Sequence, residues 1–470
     1  MRVLGAEGSS RMAHFERLDA RERLVLALED AHVHLEAATA CVLEAGPLAR
    51  DGGGVDIDRI RAFVESRLYR VPLCRKRIAY VPLEGAPVWV DDENFNLQYH
   101  VRHTHLPVPG DERQLKRLCG RLASQRLDPE RPLWELWVVE GLEGDRCALV
   151  AKAHESVARG LWGQGLLEAL LSPAPDKDFE PGPAWLPRPR PSGRELLEAS
   201  LRRRLAFPLV LARGAFAMAR DGKALRHELE RTRTALRGVG PASESPLNQP
   251  LGPHRRVDWL ALDARALERC AARFSVHGEA LLMALLAGAL GHFFEQRGLP
   301  LTFQRDLQLR AVLPESSEPE GGSDGVALAF RVAELPIAER DPAARVRAAA
   351  HALREAPRLS WELLSKAGEW APLLLAGFAR RQIGERMANL ALTPFAGPAA
   401  PLHLLGARVL EMVPLLPLPP GQAVRVALMP YAGVLRIGFT ADWDLVPDLH
   451  DLVLASAESF QELEVAAQAA

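Results

Sequence analysis

The sequence predicts a layered, mixed α/β fold arranged as two domains. Three observations lead there. At 470 residues the chain is longer than a single hydrophobic core normally grows. Stretches with apolar residues at alternate positions interleave with stretches spaced for helices. The clearest of them, residues 132–160 (PLWELWVVEGLEGDRCALVAKAHESVARG), reads as two strands joined by a tight loop. Its second strand runs into His154 and Glu155 and ends at Gly160.

Composition supports globular domains and excludes several functions. Hydrophobic residues make up 48% and charged residues 25% of the chain, enough apolar surface for such cores. A net charge of −2 and a pI near 6.7 lack the basic footprint of a nucleic-acid binder. The five cysteines (Cys41, Cys74, Cys119, Cys147, Cys270) are dispersed and form no CxxC pair. That pattern predicts buried, reduced thiols in a cytoplasmic protein, with neither a disulfide framework nor a metal site. The first residues, MRVLGAEGSSRMAHFERLDARE, lack the apolar stretch of a signal peptide, and Met12 offers an alternative start. The longest uncharged apolar run, residues 280–290, is shorter than the roughly 20 residues that span a bilayer.

In chain order, residues 36–43 read as a strand, followed by a glycine loop at 52–54. Ile57, Ile60, Phe63, Val64 and Leu68 have helical spacing. Residues 71–89 alternate toward strand, and Leu106-Pro107-Val108-Pro109-Gly110 breaks the pattern. Leu115, Leu118, Cys119 and Leu122 form one face of a helix over 111–127. Beyond the hairpin, residues 173–191 are rich in proline and read as a linker. In residues 194–237, Arg202, Arg203, Arg204, Arg213 and Arg220 interleave with Leu, Phe and Met. Two readings of that stretch stand. It is an interfacial helix lying on lipid, or a crossover helix whose basic face is solvated and diluted by Glu195, Glu198, Asp221 and Glu228.

Helices are expected over 262–274 and 279–297, the second stopped by Gly298 and Pro300. Further helices are expected over 342–356 and 369–389, with a polar loop at 315–325. Residues 424–429 and 434–441 make a hairpin about Tyr431-Ala432-Gly433. The expected division is therefore a first domain at 1–180, a linker with the basic crossover at 181–245, and a second domain at 246–470.

The hairpin and its surroundings resemble the wax ester synthase/diacylglycerol acyltransferase family, a branch of the CoA-dependent acyltransferases. That family closes its motif strand with His-His-x-x-x-Asp-Gly. The same frame here reads His154-Glu155-x-x-x-Arg159-Gly160. Flanking blocks extend the likeness over most of the chain. They include Pro72-x-x-Arg75, Pro87-x-Trp89-Val90, Phe95-x-Leu97-x-x-His100-Val101, Arg131-Pro132-Leu133-Trp134-Glu135, Gly406-Ala407-Arg408 and Tyr431-x-Gly433. The resemblance implies two chloramphenicol-acetyltransferase-like domains with a substrate tunnel between them. It also implies acyl transfer from acyl-CoA, with no cofactor, to a long-chain alcohol or diacylglycerol.

Carried over by position, His154 stands at the first histidine, Glu155 at the base and Arg159 at the aspartate, while Gly160 is kept. Histidine suits a base because its ordinary pKa of about 6.5 lets it take and return a proton near neutrality. A solvated carboxylate, ordinarily near pKa 4.3, is a poorer base and places negative charge where an oxyanion must develop. Two other blocks also differ. His277 and Gly278 stand where the family carries Asn-Asp, and Thr393-Pro394-Phe395-Ala396-Gly397-Pro398 replaces Ser-Asn-Val-Pro-Gly-Pro. His277, Thr393, Gly397 and Pro398 are thus the candidates for the tunnel wall.

Three functions follow from this pattern. The first is a family member that binds acyl-CoA or neutral lipid but transfers acyl groups weakly or not at all. The second is an active O-acyltransferase with Glu155, His154 or His277 as an altered base. The third is a non-enzymatic protein that contacts a lipid droplet, a membrane or a partner through its basic stretch.

Overall fold

A computed structural model describes residues 15–157, 165–202, 242–315, 329–360, 387–398 and 400–469. The first domain runs β1 (Glu16–Arg17), α1 (Ala20–Leu28), β2 (Glu36–Glu44), α2 (Ile57–Arg67), β3 (Lys76–Tyr80), β4 (Pro87–Asp91), α3 (Leu97–His100), β5 (Val101–His105), α4 (Glu112–Ser124), β6 (Trp134–Leu142), β7 (Arg146–His154) and α5 (Leu166–Leu170). The second opens with β8 (Arg255–Asp263), α6 (Ala264–Phe274), α7 (Gly278–Gln296), α8 (Leu301–Asp306), β9 (Arg310–Glu315) and β10 (Ala329–Glu334). It continues through α9 (Pro342–Glu355), β11 (Arg358–Ser360), β12 (Leu390–Pro394), β13 (His403–Leu404), β14 (Ala407–Leu415), β15 (Val424–Tyr431), β16 (Val434–Asp442) and α10 (Leu449–Ala469).

Local chemistry explains the boundaries. Asp19 and Glu22 form a reciprocal capping box that starts α1, and Asp111 with Gln114 does the same for α4. Asp341 caps α9, whose first position is Pro342. The helix α7 is apolar nearly all round, so it can be stable only when enclosed. It is long and apolar enough to cross a membrane by length and composition, yet it sits buried in the core of the second domain. One expectation from periodicity changes on folding. Residues 71–89 are not one strand but a 3-10 turn, Pro72–Arg75, followed by the β3–β4 hairpin. β8 and α10 carry no expectation from the sequence reading, yet both complete the second domain.

Among the described residues there are three sheets: β1-β4-β3, β13-β14-β2-β7-β6-β5 and β11-β10-β9-β12-β15-β16-β8. The first domain's main sheet therefore borrows β14 from the far end of the chain, where it pairs antiparallel with β2. Across the seam, β14 meets the face of β15 and β16 that carries Arg425, Ala427 and Gly438. Gly438 must lack a side chain because a Cβ there would collide with the Pro414 carbonyl. A second contact joins α4 to β8. Lys116 reaches Asp258 at 2.6 Å and the Trp259 carbonyl at 3.0 Å.

The helix expected over 369–389 and the loop at 315–325 lie almost wholly outside the described residues, as does most of the basic stretch 194–237. Of that stretch, residues 194–202 are helical. All five cysteines are buried and unbridged. Burial pushes the thiols of Cys41, Cys74, Cys119 and Cys147 up to about 12.

His100 offers a test of this packing. Its ring is stacked between Phe95 and Trp134, with centroids 5.2 and 4.7 Å away, and Nδ1 lies 2.8 Å from the Trp134 carbonyl. Burial lowers its pKa to about 4, with Arg131 and Arg102 adding to the shift and the Trp134 carbonyl and Asp92 opposing it. The unfolded chain takes a proton near pH 6.5 while the folded chain resists until about 4, so stability falls as pH drops through that window. From pH 7.5 to pH 5 this group should remove about 2 kcal/mol. Urea midpoints at the two pH values should therefore separate more for the native chain than for His100→Gln.

Candidate active site

The site is organised by the β6–β7 hairpin. Trp134 pairs with Ala153, and on its other edge β7 pairs with β2, placing Glu36 opposite His154. The pleat then sorts side chains: Lys152 and His154 take one face, Ala151 and Ala153 the other. Lys152 is buried, donates to the Gln125 carbonyl and lies 2.6 Å from Glu36 Oε2. The second oxygen of Glu36 accepts the Leu127 N–H at 2.7 Å.

His154 is only 2% exposed, and its ring is already engaged. Nδ1 accepts the Ser156 N–H at 3.1 Å and meets the Ser156 hydroxyl at 2.6 Å. Nε2 lies 3.2 Å from Glu29 Oε1, off the line of a good hydrogen bond. Burial works to raise the Glu29 pKa, but His154, the Leu35 N–H and Arg126 outweigh it and hold the carboxyl below its ordinary value. Among the described residues both ring nitrogens of His154 therefore face groups of the first domain, Ser156 and Glu29.

Glu155 points elsewhere. Its N–H donates to the Leu35 carbonyl at 2.9 Å, and its carboxylate, one-fifth exposed, lies 3.5 Å from Arg425 Nη1. Arg425 sits on β15, so this pair joins the two domains at the motif. The same Nη1 donates to the Pro417 carbonyl at 2.8 Å. Burial pulls the Arg425 pKa below its ordinary value, and the Glu155 carboxylate works against that shift. Arg425 was not singled out from the sequence, although a lone arginine in an otherwise apolar alternating strand was a readable signal. Arg159 and Gly160 lie outside the described residues.

Beside the motif, on the Ala151/Ala153 face, is a cavity of about 320 Å³. Ala37, Thr39, Ala151 and Ala153 carpet the sheet side, Leu73, Trp134, Val157 and Leu167 contribute further wall, and Glu16, Arg70 and Lys76 stand among its charged lining. Its described wall belongs to the first domain. The four expected tunnel residues are not in that wall. His277 is the exposed N-cap of α7, and its side chain makes no cap hydrogen bond. Thr393 is buried on β12 with no partner for its hydroxyl among the described residues. Gly397 packs against the Pro430 carbonyl, which a Cβ would strike, and Pro398 follows it half-buried. Among the described residues, no group of three or more His, Cys, Asp or Glu is placed to hold a metal.

Comparison with known proteins assigns this arrangement. Residues 18–277 match the wax ester synthase/diacylglycerol acyltransferase catalytic domain, and residues 325–464 match the C-terminal domain of the same family. The chain belongs to the wax ester synthase/diacylglycerol acyltransferase family. A putative diacylglycerol O-acyltransferase of Mycobacterium tuberculosis is 32% identical over 96% of this chain and 90% of its own length. A probable diacylglycerol O-acyltransferase of the same species is 28% identical over 90% of each chain. Among solved structures, the wax ester synthase/diacylglycerol acyltransferase of Marinobacter aquaeolei VT8 superposes with a TM-score of 0.68 at 21% identity, covering 96% of this chain and 100% of that one. The starter condensation domain of rhizomide synthetase, solved with C8-CoA and Leu-SNAC, gives a TM-score of 0.56 at 13% identity over 99% and 97% of the two chains. The fold is accordingly the two-domain, chloramphenicol-acetyltransferase-like one that the sequence resemblance implies.

The buried Lys152–Glu36 pair next to the motif should prove sensitive to removal of one partner. Lys152→Met leaves a carboxylate buried without its cation and should cost about 3–5 kcal/mol. Adding Glu36→Gln should return much of that loss, and chemical unfolding of the two single variants and the double variant measures the coupling.

Proposed function

We propose that this family member binds acyl-CoA or a related lipid but is impaired in acyl transfer, because the base position of its motif carries Glu155 in an interdomain ion pair. The Glu155–Arg425 contact is the observation that carries the reading. A base for acyl transfer must reach the acceptor hydroxyl and take its proton. A carboxylate held beside a guanidinium is poorly disposed to do either, and withdrawing it would leave Arg425 buried without its counter-ion. His154 is no substitute, since Ser156 and Glu29 surround its ring. His277 stands exposed at a helix start, outside the cavity.

Purified protein supplied with palmitoyl-CoA and either hexadecanol or dioleoylglycerol should release CoA barely above background. Robust release that disappears on Glu155→Ala would overturn the proposal. A correctly placed general base contributes about 10²–10⁴-fold. Glu155→His with Arg159→Asp should therefore raise turnover at least about tenfold once Arg425→Gln removes the cation left unpaired. Peripheral lipid contact by the arginine-rich stretch is the separate, non-enzymatic reading. Flotation with anionic liposomes should be lost when residues 203–237 are deleted and the remaining chain still folds.

A further inference from the structure

The cavity beside the motif has a closed end, and that end sets a length. Along the row where β2 faces β7, two successive pairs on the cavity side are small: Ala37 opposite Ala153, and Thr39 opposite Ala151. One register step further on the same face stand Cys41 and Leu149, both buried in the first domain's core. The open space stops at that pair. Trp134, opposite Ala153 on β6, bounds the cavity laterally. Its ring is pinned, because Nε1 donates to the Cys74 carbonyl at 2.7 Å.

The remaining wall suits hydrocarbon. Leu73, Val157 and Leu167 line it, and the charged neighbours Lys76 and Glu16 satisfy each other at 2.5 Å. Arg70 also belongs to the lining and is exposed, so the cavity reaches solvent on that side. The volume of about 320 Å³ is at the small end of the roughly 300–1,000 Å³ typical of ligand sites. A methylene group fills roughly the 30 Å³ share that a water molecule takes in the liquid, so the cavity accommodates about ten of them. A palmitoyl chain is too long to be enclosed by it.

We propose that this cavity is a length-limited acyl site that takes one medium chain of about ten carbons. Cys41 and Leu149 form its closed end, and the small side chain of Ala151 keeps the floor open. The inference deepens the acyl-CoA-binding reading above and rests on it, but it does not depend on turnover.

Isothermal titration with hexanoyl-, octanoyl-, decanoyl-, dodecanoyl- and palmitoyl-CoA, each below its micellar concentration, measures the limit. Every two carbons added up to decanoyl should tighten binding roughly tenfold, because each new methylene enters apolar surroundings. Beyond decanoyl the gain should stop, so that palmitoyl-CoA binds no more tightly than decanoyl-CoA. Ala151→Leu fills part of the floor and should bring the break down to octanoyl or shorter. Leu149→Ala opens the closed end and should carry the break up to dodecanoyl. Thermal midpoints show which variants are folded, and either folded variant is sufficient for the test. Affinity that keeps climbing from decanoyl to palmitoyl in the native protein, or a break that stays in place in a folded variant, would overturn the proposal. Absence of binding at every length would remove the acyl-CoA reading together with it. CoA release from decanoyl-CoA with the same two acceptors, measured alongside, tests impaired transfer separately, so either can fail alone.

Discussion

The pairing of β14 with β2 is the constraint on which the rest of this structure depends. A strand that follows the second domain's β12 in sequence is built into the first domain's sheet, where it satisfies one edge of β2. The opposite edge of β2 pairs with β7, so the motif strand is interior to the sheet and cannot slide. Because β14 also lies against β15 and β16, the two domains are fixed by backbone geometry as well as by side-chain contact. Pro414 on β14 abuts Gly438, and Glu411 on β14 is 3.1 Å from Arg436. Only with this seam in place does a residue that follows β7 meet one on β15.

Buried charge is paired within each domain as well as across that seam. Lys152 with Glu36, Arg255 with Asp442, and Glu155 with Arg425 are all withdrawn wholly or largely from solvent. Desolvation makes such pairs poor sources of net stability, but breaking one side leaves an uncompensated charge. They therefore act against alternative registers and alternative domain placements. Arg255 illustrates this, since it donates to the Gly252 and His32 carbonyls as well as facing Asp442. The motif's neighbourhood is thus held by polar contacts that tolerate little displacement, beside a small apolar cavity that is held open by alanines.

The hairpin scaffold and the interdomain ion pair are therefore compatible. Trp134 still donates from Nε1 to the Cys74 carbonyl at 2.7 Å, and His154 still closes the strand in a turn stabilised by Ser156. The carboxylate of Glu155, just past β7, meets a guanidinium from the other domain. That pair holds the two domains together beside the end of β7.

Much of this was readable in the chain. The hairpin over 132–160, the helices at 57–67, 112–124 and 278–296, and the terminal hairpin all follow from periodicity and capping signals that act within a few residues. The order of the flanking blocks carried the family. The sequence did not yield β8 or α10, the transfer of β14 to the other sheet, or the division of 71–89 into a turn and a hairpin, because these depend on partners distant along the chain. Nor could spacing reveal the partner of Glu155. Arg425 is 270 positions away and is brought within 3.5 Å only when the two sheets pack. Short-range pattern determined the elements and the motif; the site's electrostatics were decided by tertiary structure, because burial and through-space charge have no period in sequence.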